Sequence, residues 1–111
     1  MKVSLITAFY KGNAYMAEYK RMIRGNQCHL EKGDELEVLI INDSPEEHVV
    51  LPEDGGDCNI FIYDQKQNGG IHAARVRGLS LCTGDYVIFL DQDDRLREDA
   101  VATFIATMKK Y

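Results

Sequence analysis

A chain of 111 residues, 45% hydrophobic and 28% charged, suits one globular domain with its own core and excludes a disordered chain. The net charge is −5 and no basic run exceeds Lys109-Lys110, which speaks against a nucleic-acid partner. Cys28, Cys58 and Cys82 are sparse and form no CxxC pair, so neither a zinc site nor a disulfide framework is expected, and a reducing, cytoplasmic setting fits best.

The opening stretch, VSLITAF (3–9), is apolar and β-branched and predicts a first strand rather than a signal peptide. Lys11-Gly12-Asn13 breaks it, with Asn13 the expected N-cap of a helix over 14–25. Met16, Tyr19, Met22 and Ile23 share one face of that helix, and Gly25 is its expected stop. LEVLII (36–41) reads as a second strand closed by the turn residues Asn42-Asp43-Ser44-Pro45. Residues 46–58 read as an acidic loop, with Glu46-Glu47 and Glu53-Asp54 on a solvated face. Ile60–Tyr63 follows as a third strand.

Asn68-Gly69-Gly70 marks a turn, and residues 71–83 predict an alanine-rich helix in which Gly78 allows close packing. Tyr86–Leu90 is the fourth strand. The last helix is the clearest, with Val101, Phe104, Ile105 and Met108 at helical spacing, acidic residues before it and Lys109-Lys110 at its end. The order β-α-β-loop-β-α-β-α, with strands that are nearly continuous apolar runs, predicts an α/β fold. Such strands belong in a Rossmann-like, open, mainly parallel sheet with helices on both faces. Ligands bind such sheets at the carboxyl ends of the strands. Those ends carry Tyr10-Lys11, Asp43, Asp64 and the sequence Asp91-Gln92-Asp93-Asp94.

Carboxylates crowded after a buried strand repel one another unless a hard divalent cation such as Mg²⁺ or Mn²⁺ sits among them. The alternative is a solvated turn before a helix N-terminus, where acidic residues are common. An EF-hand is rejected, because Arg95 and Leu96 stand where a ligand and a glycine belong. A dehalogenase-type phosphatase motif also fits poorly, since the Asp-x-Asp lies late in the chain and is followed by Asp94-Arg95.

Four segments in order, VSLITAFYKGNAYMAEYKRMI, LEVLIINDS, NGGIHAARVRGL and TGDYVIFLDQDD, resemble the N-terminal, nucleotide-sugar-binding half of family 2 glycosyltransferases, which have the GT-A fold. The resemblance spans essentially all of residues 1–111 as one nucleotide-sugar-binding domain. It implies a metal-dependent, inverting transfer from a nucleoside-diphosphate sugar, a UDP-sugar foremost, to a glycan or lipid acceptor in polysaccharide or cell-envelope synthesis. The enzyme would act in the cytoplasm or at the cytoplasmic membrane face. It also implies roles: Ala8, Tyr10 and Lys11 line the base pocket, and Asp43 meets the base or ribose. Gly70 allows close approach, and Arg75 holds the nucleotide or the acidic edge. Asp91 and Asp93 belong to the nucleotide-sugar site, Asp93 by the ribose and diphosphate, and Asp94, with Asp93, holds Mn²⁺ or Mg²⁺, with Asp91 a supporting member of the cluster. Ser44-Pro45 and Val76 depart from the family's usual Gly-Ser and Asn. The catalytic base is expected beyond Tyr111. A second reading is a non-catalytic nucleotide-binding or assembly module, with an uncovered sheet edge inviting self-association.

Overall fold

The computed structural model describes residues 1–51 and 59–111. Four strands, β1 (Lys2–Phe9), β2 (Glu35–Asn42), β3 (Ile60–Asp64) and β4 (Tyr86–Phe89), form one sheet in the order β3-β2-β1-β4, and every pair is parallel. Three helices, α1 (Met16–Cys28), α2 (Gly70–Leu81) and α3 (Ala100–Lys109), cover it. Parallel pairing requires crossover connections, and α1 between β1 and β2 and α2 between β3 and β4 are two of them. The chain winds from β1 through β2 to β3 in one direction, then returns to place β4 on the other side of β1. The strand order therefore reverses between β1 and β4, the place where open α/β sheets bind ligands.

The period of two along β1 and β2 divides the core. Val3, Leu5 and Phe9 with Leu36, Val38 and Ile40 face α1 and α3. Ile6, Leu39 and Ile41 face α2, where Ala74 is fully buried. Both faces of the sheet are covered, as the apolar runs predict. Gly78 lets the α2 backbone rest on β1: a Cβ there would lie 2.5 Å from Cγ2 of Ile6. The edge strands are less covered, with Phe61, Ile62, Tyr86 and Phe89 exposed.

Two helix signals behave differently from expectation. Asn13 does not cap α1. It opens a single 3₁₀ turn, and its side chain ties down the loop after β2, donating to the Glu47 carboxylate (3.3 Å) and the His48 carbonyl (2.9 Å) and accepting from the Val50 amide (2.8 Å). Gly25 does not stop α1, which runs on to Cys28. It is instead a packing point, where a Cβ would meet Cγ of Glu98 at 3.0 Å. The expected loop of residues 46–58 lies outside the described residues from Pro52 to Cys58, and so do Glu53 and Asp54. Cys82 is half-buried, with its thiol 3.4 Å from the Leu79 carbonyl.

The amino-terminal edge of the sheet is closed by a polar knot. Glu37, 7% exposed, accepts from the Ser4 hydroxyl (2.6 Å), the Thr83 amide (2.9 Å) and the Thr83 hydroxyl (3.0 Å), with the Lys2 ammonium 3.6 Å away. Burial opposes its ionisation, but the hydrogen bonds from Ser4 and Thr83 and the nearby Lys2 outweigh it and hold the carboxyl below its ordinary value. A carboxylate held low stabilises the fold above its unfolded-state pKa and loses that contribution as pH falls through the folded one. Stability should therefore decline on acidification below about pH 4.5. Asp34, held low by hydrogen bonds from Lys109 and the terminal amine, contributes in the same direction. Chemical denaturation from pH 6 to pH 3 should show a shallower decline in Glu37→Gln than in the parent chain; parallel curves would remove Glu37 from this account.

Gly84 sits against the same knot. A Cβ there would lie 2.7 Å from the Ser4 backbone nitrogen and 3.1 Å from the Lys2 carbonyl, both on a central strand. Backbone on both sides of that strand is paired and does not yield. Gly84→Ala should thus cost about 1–3 kcal/mol, or roughly 5–10 °C in the melting temperature by circular dichroism. An unchanged melting temperature would contradict the contact.

Candidate functional site

A cleft of about 450 Å³ opens at the carboxyl ends of β1, β2 and β4, over the reversal of strand order. Ala8, Phe9 and Tyr10 form its β1 wall, and Asp43 lies at the end of β2. The turn into α2 contributes Asn68, Gly70 and Ile71, and the loop after β4 contributes Asp91, Gln92 and Asp93. Of the residues expected at the site, Ala8, Tyr10, Asp43, Gly70, Asp91 and Asp93 come together here. Lys11, Arg75 and Asp94 are not part of the lining. Asp64 is not either, because β3 is the far edge of the sheet, and its carboxylate instead accepts from Asn42 at 2.9 Å.

The acidic loop is a tight turn. The Asp94 amide donates to the Asp91 carbonyl at 3.1 Å, and the turn folds the chain back so that three side chains converge. One carboxylate oxygen from each of Asp91, Asp93 and Asp94 lies within 4.8 Å of the others, and all three residues are exposed. This set of hard oxygen donors fits Mg²⁺ or Mn²⁺, which keep several positions for water and phosphate oxygens. Arg75 offsets part of the charge. Its guanidinium is 3.3 Å from Asp91 and lies over the Phe89 ring at 5.4 Å. Both partners are well exposed, so the pair adds little to stability.

Asp43 has a different environment. It is 4% exposed, and its two carboxylate oxygens accept from the Gly69 and Gly70 amides, each at 2.9 Å. It thereby supplies an anionic cap, from another strand, to the N-terminus of α2. Gly70 takes φ +88, a conformation that side chains resist, to present its N–H there. The helix terminus, often an anion site, is thus already occupied by a carboxylate of the chain itself. Lys11 also has a positive φ, +48; its ammonium lies 5.5 Å from the Tyr10 ring centroid and 3.8 Å from Glu46. Ser44, where the family pattern has glycine, is fully buried and bonds through its amide (3.0 Å) and hydroxyl (2.8 Å) to the Asn42 side-chain oxygen.

Three residues emerge that local sequence patterns did not single out: Tyr15, Gln92 and Arg95. Arg95 donates from one terminal nitrogen to the carbonyls of Gln92 (2.8 Å) and Asp94 (2.6 Å), and from the other to the Tyr15 carbonyl (2.9 Å). Its guanidinium also lies 5.9 Å from the Tyr19 ring centroid, and the Tyr19 hydroxyl meets that of Thr7 at 2.7 Å. Burial pushes the Tyr19 phenol well above its ordinary pKa, so it remains a neutral partner.

The sequence profile of Glycosyl transferase family 2 matches residues 4–111, almost the whole chain. The chain belongs to glycosyl transferase family 2. Two relatives of this family 2 chain are the minor teichoic acid biosynthesis protein GgaB of Bacillus subtilis, 31% identical over 98 residues, and the glycosyltransferase GlyA of Streptococcus pneumoniae, 30% identical over 83 residues. These matches cover 86% and 68% of the chain but only 11% of either relative. Among solved structures, S. aureus TarS 1–349 in complex with UDP superposes with a TM-score of 0.74 at 19% identity, over 99% of this chain and 32% of that one. TarS 1–349 in complex with UDP-GlcNAc gives 0.73 at 18%. At such identities the likeness shows the fold, which is the GT-A-like arrangement the four segments imply. Among the described residues, no helix is long and apolar enough to cross a membrane.

Proposed function

We propose that residues 1–111 form the donor-binding domain of a metal-dependent, inverting glycosyltransferase that uses a nucleoside-diphosphate sugar, a UDP-sugar foremost. The carrying observation is the convergence of Asp91, Asp93 and Asp94 on one rim of a 450 Å³ cleft in a family 2 chain. The cleft suits a nucleoside in size, and its Tyr10 and Ile71 sides offer apolar and aromatic surface to a base. Asp43, in the cleft lining, fixes Gly69 and Gly70 at the start of α2 and would meet the base or ribose. Asp93 and Asp94, with Asp91 in support, would hold Mn²⁺ or Mg²⁺. Bound there, the cation would offset the negative charge that grows on the departing nucleoside diphosphate. Without it, an acidic rim on a chain of net charge −5 would repel a diphosphate. Arg75, on the same rim, would keep Asp91 in place and add positive charge.

The acceptor, a glycan or a lipid, and the base that activates it are proposed to engage parts of the enzyme outside residues 1–111. The relative named for minor teichoic acid biosynthesis supports a role in polysaccharide or cell-envelope synthesis. Saturation-transfer NMR with Mg²⁺ tests the donor reading. Uracil, ribose and sugar protons of a UDP-sugar should all receive magnetisation, and the effect should vanish on chelation. Equal transfer with and without Mg²⁺ would overturn the metal-dependent reading.

A further inference from the structure

The geometry points to Gln92 and Gly12 as a positioning pair that sets the width of the cleft, an inference that rests on the donor reading above. β4 ends at Phe89, and the Leu90 amide still donates to the Ile6 carbonyl of β1 at 3.1 Å. The Gln92 side chain takes over the pairing. Its carboxamide oxygen accepts from the Tyr10 amide at 2.8 Å, and its carboxamide nitrogen donates to the Tyr10 carbonyl at 3.0 Å. A side-chain amide thus reproduces the two-bond pattern of a strand pair, 82 residues apart in sequence. It joins the Tyr10 wall of the cleft to the middle of the acidic loop.

Gly12 is the other half. A Cβ placed there would collide with the Gln92 carboxamide, and its three nearest atoms all belong to that side chain. The backbone at Gly12, φ −103 and ψ 20, is one that alanine can adopt, so conformational freedom does not explain the glycine. Space for Gln92 does. The metal-binding turn is held separately, by the Asp94-to-Asp91 backbone bond and by Arg95. Gln92 and Gly12 therefore govern the distance between the Tyr10 wall and the acidic rim, and not the cation site itself. A ligand that spans both, with its base on one and its diphosphate on the other, reads that distance; a bare cation does not.

The double-mutant cycle is direct. Gln92→Ala and Gly12→Ala should each weaken UDP binding in the presence of Mn²⁺ by about tenfold, the worth of one or two neutral hydrogen bonds. Binding of Mn²⁺ alone should stay within about twofold of the parent, because the turn and Arg95 are untouched. In the double variant the added methyl finds no carboxamide to displace, so UDP affinity should equal that of Gln92→Ala. A double variant markedly weaker than Gln92→Ala, or single variants that bind UDP like the parent, would overturn the inference. Amide exchange at Tyr10, measured without nucleotide, separates this from the donor reading: protection should fall in both single variants. A parent chain that ignores UDP would overturn the donor reading, and unchanged Tyr10 exchange would overturn the pairing itself.

Discussion

Asp94→Asn is expected to weaken UDP binding in the presence of Mn²⁺ about 100-fold, equivalent to roughly 2.7 kcal/mol. Asparagine keeps the size of the side chain and one oxygen but removes a full charge from a three-carboxylate cluster whose donor atoms lie within 4.8 Å. The turn that shapes the cluster uses the Asp94 backbone amide, which the substitution preserves. The side chain is exposed, so the melting temperature should stay the same or rise slightly as repulsion between like charges is relieved. Calorimetric titration with UDP and Mn²⁺, alongside a thermal melt, reads both effects. Lost stability with intact binding would reverse the roles assigned to this loop.

Asp43→Ala should act through structure as much as through contact with ligand. It removes two charge-assisted hydrogen bonds at 2.9 Å and leaves the first amides of α2 without their carboxylate cap. Such bonds contribute about 1.5–3 kcal/mol each, but Gly69 and Gly70 are exposed enough for water to replace part of the loss. A net cost of about 2 kcal/mol is expected in chemical denaturation. Hydrogen exchange at the Gly69 and Gly70 amides should quicken, while the Asp94 amide on the opposite rim should not change. A loss of UDP affinity with no change in Gly69 and Gly70 exchange would show Asp43 to be a ligand contact alone.

The contrast between these two aspartates shows what the sequence could reveal. β1 and β2 were legible because a strand buried on both faces is written as a continuous apolar run. The acidic triplet was legible because three carboxylates fall within four positions after such a run. Asp43 was legible as a site residue, but its bonds to Gly69 and Gly70 depend on the crossover that brings α2 back over β2, and no local pattern encodes that. Asn13 and Gly25 misled for the same reason. Their propensities describe an isolated helix, whereas here Asn13 is engaged by the 47–50 loop and Gly25 by Glu98. Gln92 and Arg95 carry no signature at all, since a glutamine between aspartates looks like a solvated spacer. Their partners, Tyr10 and Tyr15, lie about 80 residues earlier. Asp64 shows the converse: a strand-end acid is a site candidate until strand order places it two strands from the reversal.

Calorimetric titration of the chain with UDP, in Mn²⁺ and again after chelation, tests the central claim most directly. Saturable, one-to-one binding in Mn²⁺ that disappears with the metal is the expected result. UDP binding that survives chelation at the same affinity, or no binding in either condition, would contradict it.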